Sequence, residues 1–354
     1  QLQIAARSQI KQLVENSLKE DNVKYKELSV YSSPTRLTLH IKDLNEKIKL
    51  EAKEIKGPKV GSPDQVIQGF LRAKNVSEKD LTEKDTSKGK FYFIKTKSQS
   101  IFVEDILIKV IPKAIRSISW KKSMKWSDHD LMWGRPLRSI FAKYNNKKLP
   151  FKYEHLESKD EVIIEQDLVT KTKKIKDFKD YLSFLKSNKI IVDHNEREEI
   201  ILKKIYSFSQ SKQYKETLNP KLLEEVVNIV EDPNLLHISF NKDYLEIPKE
   251  IIISTLEKHQ RYFPIFDSRD RLTNYFFVVA NKKDEKKLIT QGNKRVVEAR
   301  LADAKFFWDK DRSKNLIKQI ANLKSVTFYE KLGSIYDKTQ RLRQLAGLLS
   351  DDLN

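Results

Sequence analysis

Glycine and cysteine are the residues whose scarcity constrains this chain most, because its 354 residues include 8 glycines and no cysteine. Glycine usually fills roughly 7% of positions, so loops in which several glycines surround a phosphate have little material here. Neither G-x-G-x-x-G nor G-x-x-x-x-G-K-[ST] occurs; at the nearest match, Gly89-Lys90, Lys84 stands where the first glycine is needed. Without cysteine, the sequence excludes disulfide scaffolds, thiol nucleophiles, iron–sulfur clusters and cysteine-type zinc sites.

The net charge points to a polyanionic partner. The sequence carries 69 Lys plus Arg against 50 Asp plus Glu, a formal net charge of +19. An excess of this size favours nucleic acid before a membrane surface. Most of the excess is lysine, which is also typical of solvated protein faces and of biased genomes, so the charge alone leaves both interpretations open.

Length and apolar runs bound the organisation of the chain. At roughly 150 residues per domain, two or three domains are expected. The longest apolar runs, such as residues 276–280, fall far short of the ~20 residues that span a bilayer, so no membrane contact is predicted. The chain opens on Gln1 without a signal-type apolar stretch, and we expect a fragment of a cytoplasmic protein.

Apolar spacing alternates between helical and strand patterns, which predicts an α+β fold. Helices are predicted over about 2–19, 62–73, 103–119, 177–187, 195–210, 219–230 and 248–257. Strands are predicted over about 28–32, 37–41, 90–97, 138–144, 149–156, 235–240, 261–266 and 274–280. The first two are expected to flank a turn at Ser32-Ser33-Pro34, and 138–144 and 149–156 a hairpin turn at Asn145-Asn146. The pattern fades between 158 and 176 and becomes purely helical from 294. We predict domains at 1–120, 121–290 and 291–354.

Hydrolytic and metal chemistry need clustered histidines and carboxylates, and the six histidines are scattered, with no pair at i, i+4. His129 lies between Asp128 and Asp130, which permits a metal site or a general base, although a polar turn explains the pattern more simply. A Ser–His–Asp site stays open because its members meet only in space, but no nucleophile-elbow sequence supports one. We therefore single out no catalytic residue and predict no metal site.

Three segments interleave cations with aromatic rings, the combination that contacts phosphates and bases. The candidate nucleic-acid-binding residues are Lys125, Trp126, Arg135 and Arg138 in the first segment, His259, Arg261 and Tyr262 in the second, and Lys294, Arg295 and Arg300 in the third. The third segment is expected at a helix N-terminus, which attracts anions by itself. The alternative for each is that the rings belong to the core and the cations extend at its rim.

Several of these segments resemble the beta subunit of bacterial heterotetrameric glycyl-tRNA synthetase. Residues 123–126 (SMKW) and 134–138 (GRPLR) are similar to the family's MRW…RP stretch, and 291–307 (QGNKRVVEARLADAKFF) matches it almost residue for residue. Further similar stretches are 54–58, 245–250, 258–263 and 331–339. Because the stretches follow in order over nearly the whole chain, it is identified as a member of this family, as an N-terminal fragment.

The resemblance implies both a fold and a set of partners. It implies N-terminal α/β domains similar to the B3/B4 region of the phenylalanyl-tRNA synthetase beta chain, then the start of an all-helical HD-type domain from about Leu332, without the anticodon-binding domain. It implies that the alpha subunit activates glycine with ATP and Mg, while this chain positions tRNA(Gly) and holds no cofactor of its own. The expected assembly is an alpha2beta2 heterotetramer.

Two departures from the family pattern stand out. The family's opening EIGTEELP-like strand is missing, and residues 158–176 contain no counterpart of its Gly-His-Arg-Phe-like motif. Any role of that motif is therefore not transferred to this chain.

Three functional hypotheses follow. In the first, lysines and arginines neutralise tRNA phosphates, and Trp126, Tyr262 or Phe263 stacks on a base or ribose. In the second, the fragment is a structural module that holds the alpha subunit without touching tRNA. The third, a hydrolytic editing pocket inherited from the B3/B4-like fold, rests on fold analogy alone.

Overall fold

The computed structural model describes residues 2–50, 54–74, 76–87, 89–95, 98–166, 168–215 and 218–353. The chain forms two compact units, Gln1–Arg197 and Glu198–Asn354, a division that falls inside the predicted segment 121–290. Both units combine helices with small sheets, so the mixed class predicted from the sequence is confirmed. Among the described residues, no helix has the length and apolar character needed to cross a membrane.

The first unit contains four complete α-helices within its described residues. They are α1 (Leu2–Glu20), α2 (Asp64–Lys74), α3 (Val103–Arg116) and α4 (Phe178–Ser187). The strands are β1 (Glu27–Ser33), β2 (Arg36–Lys42), β3 (Lys47–Leu50), β4 (Glu54–Lys59), β5 (Leu81–Thr86), β6 (Gly89–Lys95), β7 (Gln99–Phe102), β8 (Ile140–Phe141), β9 (Lys143–Tyr144), β10 (Lys147–Lys148), β11 (Lys152–Tyr153), β12 (Leu156–Lys159), β13 (Glu161–Gln166) and β14 (Val169–Lys174).

The largest core of the first unit forms where α1 packs on α3 and on the β1–β2 hairpin. α1 buries Ala6, Ile10, Val14 and Leu18, which recur every four residues and therefore share one face of the helix. β1 pairs antiparallel with β2 along its whole length. The helix and the hairpin predicted for this region are confirmed.

A three-stranded antiparallel sheet with β6 at its centre, between β4 and β5, forms a small structure with α2, which packs on β4. Helix and sheet approach closely at Gly57, where an added Cβ would lie 2.7 Å from the Phe70 ring. Leu71 of α2 and Ile94 of β6 are buried. We call the described part of residues 54–95 the three-stranded module. β3 and β7, which flank it, pair with each other.

The turn between β9 and β10 is formed by Asn145 and Asn146, which both adopt positive φ angles, 43° and 61°. Asparagine tolerates this left-handed region better than most residues, so an Asn-Asn pair is suited to a two-residue hairpin turn. The hairpin predicted at this dipeptide is confirmed.

Residues 158–176, where the apolar pattern fades, contain a regular hairpin formed by β13 and β14. Val162 and Ile164 of β13 are buried in one core with Tyr181 and Leu185 of α4. Every described side chain of β14 is exposed. A strand with two solvated faces has no apolar alternation, which is why the pattern missed it.

The second unit continues with α5 (His194–Lys212), which begins at the end of the first unit. Its further helices are α6 (Pro220–Val227), α7 (Lys249–Ser254), α8 (Leu288–Arg312), α9 (Leu316–Gln319) and α10 (Ile335–Asp352). Its strands are β15 (Tyr214–Lys215), β16 (Asn234–Ser239), β17 (Phe263–Asp267), β18 (Leu272–Ala280), β19 (Thr327–Tyr329) and β20 (Gly333–Ser334).

The sheet of the second unit, ordered β15–β17–β18–β16, is antiparallel and buried on both faces. Phe276 of β18 packs in the core that contains Val297 and Leu301 of α8. Its neighbour Phe277 belongs to a second core, shared with α5 and α6. Consecutive residues of a strand point to opposite faces, so this pair places helices on both sides of the sheet.

The end of the second unit is not purely helical, and that expectation is wrong. The antiparallel β19–β20 hairpin separates α9 from α10. The predicted helical segment 291–354 therefore contains a short sheet. α10 has no buried residue within its described length.

Candidate nucleic-acid interface

The first basic segment, residues 120–138, turns its tryptophans toward the core. Backbone hydrogen bonds join Met124 to Trp133 in an isolated bridge (Met124 N to Trp133 O, 2.9 Å). The rings of Trp120 and Trp133 lie 4.7 Å apart, and both pack, with Trp126, against the largest core of the first unit. Gly134 permits this packing, because an added Cβ would lie 2.7 Å from the Trp120 ring. The alternative of core aromatics with cations at the rim applies to this segment.

The cations of this segment all reach solvent, but they differ in their partners. Lys125 pairs with Asp130 (Nζ–Oδ1 2.8 Å), and Arg138 pairs with Glu165 of β13. The Arg135 guanidinium donates to the Gly134 carbonyl oxygen at 3.2 Å. Among the described residues, no carboxylate pairs with Arg135. Of the three candidate cations Lys125, Arg135 and Arg138, Arg135 is therefore the one that can meet an external phosphate without first breaking an ion pair.

The sequence missed a pair of stacked histidines beside Trp126. The rings of His129 and His155 lie 3.6 Å apart and nearly parallel, and Trp126 meets His155 edge-on at 6.1 Å. His129 also faces Asp128 (Nδ1–Oδ1 4.0 Å). A hydrogen bond from Ser127, followed by its own backbone and the nearby histidines, lowers the pKa of Asp128. The two histidines are far apart in the sequence, so no local motif predicts that their rings meet.

No group of three or more His, Cys, Asp or Glu side chains in the described part of the chain could hold a metal ion. His129, the candidate considered from the sequence, has one carboxylate neighbour at ion-pair distance.

The second basic segment, at 258–263, follows an unusual backbone. A π-helical turn over Thr255–Gln260 ends at Arg261, which has a φ of 62°. Single π-turns and left-handed non-glycine residues both concentrate at functional sites. The Arg261 side chain pairs with Glu225 of α6 and donates to the Lys258 carbonyl oxygen. His259 lies exposed within the turn.

Tyr262 and Phe263 do not offer rings to a base, and the stacking expected of them is wrong. Tyr262 is 8% exposed and Phe263 is 1% exposed. The Tyr262 ring stacks on Phe276 at 5.3 Å, and its hydroxyl donates to Asn293 Oδ1. Burial raises the pKa of the Tyr262 phenol. Both rings therefore pack in the hydrophobic cores on the two faces of the sheet and are not available for stacking on a base.

The third basic segment does not lie at a helix N-terminus, and that expectation is also wrong. α8 begins at Leu288, one turn before Gly292. Asp284 accepts the first backbone N–H groups, at 2.9 Å from Ile289 and 2.7 Å from Thr290. The N–H groups of residues 292–295 lie beyond the first turn, and in an α-helix such groups bond to preceding carbonyls. Any anion attraction here comes from side chains alone.

The side chains Lys294, Arg295 and Arg300 of α8 are all exposed. Lys294 lies 3.8 Å from Glu298 one turn later. Among the residues that the structure describes, neither Arg295 nor Arg300 has an ion-pair partner, and Arg300 does not pair with Asp303. Of the three candidate cations of α8, these two arginines are therefore the ones free to meet an external phosphate without first breaking an ion pair.

The structure brings the second and third segments together in an open cleft of about 380 Å³. Arg261, Tyr262 and Asn293 line it, together with Asn281 and Lys282 after β18. The sequence offered no sign of this meeting, because the hydrogen bond from Tyr262 to Asn293 joins residues 31 positions apart. The first segment belongs to the other unit. Exposed cations that can hold anions lie in both units, and this cleft lies in the second.

Comparisons with known proteins agree along the whole chain. The family profile described as glycyl-tRNA synthetase beta subunit matches residues 1–354. Curated relatives include three proteins named glycine–tRNA ligase beta subunit. The one from Rickettsia peacockii is 34% identical over 332 residues, covering 94% of this chain and 50% of the relative. Those from Rickettsia felis and Rickettsia typhi are 33% and 35% identical over 336 residues each, with 51% and 50% of the relative covered.

The chain spans about half the length of the curated relatives that it matches. The similarity nevertheless extends through both units, and the family profile covers every residue from 1 to 354. The chain belongs to the glycyl-tRNA synthetase beta subunit family.

Proposed function

We propose that this chain is part of a glycine–tRNA ligase beta subunit that binds and positions tRNA(Gly), while the alpha subunit joins glycine to it with ATP. The observation that carries the proposal is the family match over residues 1–354. The likeness to the B3/B4 region of the phenylalanyl-tRNA synthetase beta chain and the start of an HD-type domain near Leu332 belong to the same proposal. So do the cytoplasmic location, the alpha2beta2 assembly, and ATP and Mg use through the alpha subunit.

The mechanism that we propose for this chain is electrostatic positioning. Arg135 in the first unit, and Arg295 and Arg300 in the second, are exposed and have no ion-pair partner among the described residues. A guanidinium that is not engaged by a carboxylate can donate to a phosphate without first breaking an ion pair. Each phosphate neutralised releases counterions, so binding weakens steeply as salt rises. No step of bond making is assigned to this chain.

The test is charge reversal at Arg295, measured as tRNA(Gly) binding across a salt series. Arg295→Glu is expected to weaken binding and to flatten the salt dependence, since a phosphate contact contributes about 0.9 to the slope for duplex nucleic acid. Lys221→Glu is the matched control, because Lys221 is exposed on α6 outside the three basic segments. Unchanged affinity and slope in Arg295→Glu, or an equal loss in Lys221→Glu, would contradict the assignment.

A second candidate function, holding the alpha subunit, is favoured by apolar side chains near the end of the chain. Leu316 and Ile317 of α9 are 84% and 76% exposed, and four leucines of α10 are also exposed: Leu342, Leu345, Leu348 and Leu349. Exposed apolar patches of this kind mark protein contacts. Co-elution of this chain with the alpha subunit, without any shift of tRNA, would support this function over the first.

A further inference from the structure

The three-stranded module has one face covered by α2 and one face open to solvent. Ile55, Gly57 and Ile94 lie on the face toward α2, where Phe70 reaches Gly57. Side chains alternate along a strand, so Phe91 and Phe93 of β6 lie on the opposite face. On that face Lys56, Lys84 and Lys95 are exposed, while the two phenylalanines are partly exposed.

Phenylalanine on the open face of a helix-backed sheet is unusual, because such faces are normally polar. Here the central strand carries two, at positions i and i+2, which places their rings roughly 7 Å apart along the strand. Lys56 Nζ lies 3.5 Å from the centre of the Phe91 ring. Lys84 Nζ lies 5.8 Å from the centre of the Phe93 ring. Lysine side chains from the two outer strands therefore lie over the aromatic surface.

The open face is also cationic. The strand register and alternation place Lys56, Lys59, Lys84 and Lys95 on it, and among the described strand residues Glu54 is the one carboxylate that they add to this face. Gly89 lies on the same face of the sheet, where an added Cβ would be 3.2 Å from the Lys59 side chain. Glu54 pairs with Lys84 at 2.6 Å, with both side chains nearly half exposed. Exposed pairs of this kind are weak and readily exchanged.

We propose that this open face binds single-stranded RNA, with Phe91 and Phe93 stacking on successive bases and the lysines meeting the phosphates. Aromatic rings on a sheet surface are a general way of binding unpaired bases, because every base has a flat face. Lysine side chains lying over the rings give way to bases at small cost and remain close enough to reach the backbone. The site lies outside the three basic segments, and it rests on the proposed function only for its RNA partner.

The experiment measures binding of a fluorescein-labelled eight-nucleotide oligouridine to the chain of residues 1–354 by fluorescence anisotropy. Phe91→Leu and Phe93→Leu keep an apolar side chain of similar size and remove the ring. Each is expected to raise the Kd about tenfold, and the double variant is expected to raise it further, because stacking supplies much of such binding. A duplex of the same length is expected to bind more weakly than the single strand.

Phe102→Leu is the matched control, because Phe102 is 53% exposed and has Lys47 Nζ 4.5 Å from its ring centre, but lies in β7 outside the module. Its Kd is expected to stay within about twofold of the parent chain. Phe93→Tyr, which keeps the ring, is expected to retain binding even if Phe93→Leu lowers the melting temperature. This second variant separates stacking from folding.

Three outcomes would overturn the inference: no oligouridine binding by the parent chain, a Kd unchanged in the double variant, or an equal loss in Phe102→Leu. A separate glycylation assay with the alpha subunit reports on the proposed function. If the chain binds oligouridine but supports no glycylation with the alpha subunit, the proposed function is contradicted and the RNA-binding inference is kept. If it supports glycylation but binds no oligouridine, the inference is contradicted and the proposed function is kept.

Discussion

The basic segment 120–138 and strand β6 both mix aromatic residues with lysines, yet they fold in opposite ways. In the segment, Trp120 and Trp133 pack on each other and on the core, and the cations extend to solvent. In β6, Phe91 and Phe93 lie on the open face, beneath the lysines of neighbouring strands. The composition is similar, and the location of the rings is reversed.

Backbone periodicity explains the difference. A strand places residues i and i+2 on the same face whatever their chemistry, so once Ile94 is buried under α2, Phe91 and Phe93 must point away from it. The segment 120–138 has no regular period, and its chain bends until each tryptophan finds the core. Interleaved rings and cations therefore predict an RNA surface only where a regular element holds the rings outward.

The largest expected effect is the loss of Trp133, which tests whether the rings of the segment are structural. Trp133→Ala removes the contacts with Trp120 and with Tyr153, whose ring lies 6.2 Å away. The free energy of unfolding is expected to fall by about 2–4 kcal/mol, below the value for a fully buried tryptophan because Trp133 is partly exposed. Urea unfolding measures it. Phe93→Ala is expected to cost less than about 1 kcal/mol, and an equal cost would erase the contrast.

Glycine substitutions sharpen the same contrast. Gly134→Ala forces a Cβ to within 2.7 Å of the Trp120 ring and is expected to destabilise the chain by about 1–3 kcal/mol. Gly69→Ala, in the middle of α2, meets nothing within 4 Å and is expected to stabilise it by about 0.5–1 kcal/mol. Thermal unfolding of the two variants side by side gives the result. Stabilisation by Gly134→Ala would show that the tryptophan packing is loose.

The stacked pair of His40 and Phe178 tests whether burial prevents a cation from lying over an aromatic ring. His40 stacks on Phe178 at 3.7 Å, and desolvation by burial, followed by repulsion from Lys42, lowers the His40 pKa below 6.5. The pKa of a histidine is the pH at which half of it is charged, so this ring stays neutral further into the acid range. Its contribution to stability is present above pH 6.5 and is lost as pH falls through the lowered pKa.

Proton NMR titration of the His40 ring, assigned with a His40→Gln variant, measures that pKa. A midpoint below 6.5 is the expected result, and the acid-side loss of stability is expected to shrink in the variant. A midpoint above 6.5 would mean that the cation is stabilised over Phe178, as the lysines are over the phenylalanines of β6.

The smallest expected effect is at the ion pair above Phe93. A double-mutant cycle with Lys84→Gln and Glu54→Gln is expected to give a coupling free energy of about 0.2–1 kcal/mol, because both side chains are nearly half exposed. Urea unfolding of the four chains supplies the cycle. A coupling free energy well above that range would mean that the Glu54–Lys84 pair holds its side chains firmly over the Phe93 ring, and it would weaken the RNA proposal.

The sequence predicted those elements whose pattern is local. The helical spacing of Ile10, Leu13, Val14 and Leu18 predicted α1, and Asn145-Asn146 predicted a hairpin turn. The β13–β14 hairpin was missed because β14 is solvated on both faces and carries lysine and threonine in place of an alternating pattern. The helix at 294 was found but placed six residues late. Asp284 accepts its first backbone N–H groups, and that cap carries no apolar signal.

The candidate site was predictable only in part, because contacts between distant residues leave no local trace. Arg135, Arg295 and Arg300 were identified from the segments that interleave cations with aromatic rings, and all three are exposed, as cations at a surface must be. The burial of Tyr262 depends on Phe276 and Asn293, which no spacing rule connects to it. The open face of β6 needed the register of three strands before Phe91 and Lys56 could be placed together.

The distribution of tryptophan allows the unfolding of the two units to be followed separately by fluorescence. Of the 4 tryptophans, Trp120, Trp126 and Trp133 share the core of the first unit, and Trp308 lies on α8 in the second. Replacing Trp308 by phenylalanine leaves a chain whose tryptophan emission comes only from the first unit. Near-ultraviolet excitation of that variant and of the parent would then resolve the unfolding of each unit in one cuvette, without any attached dye.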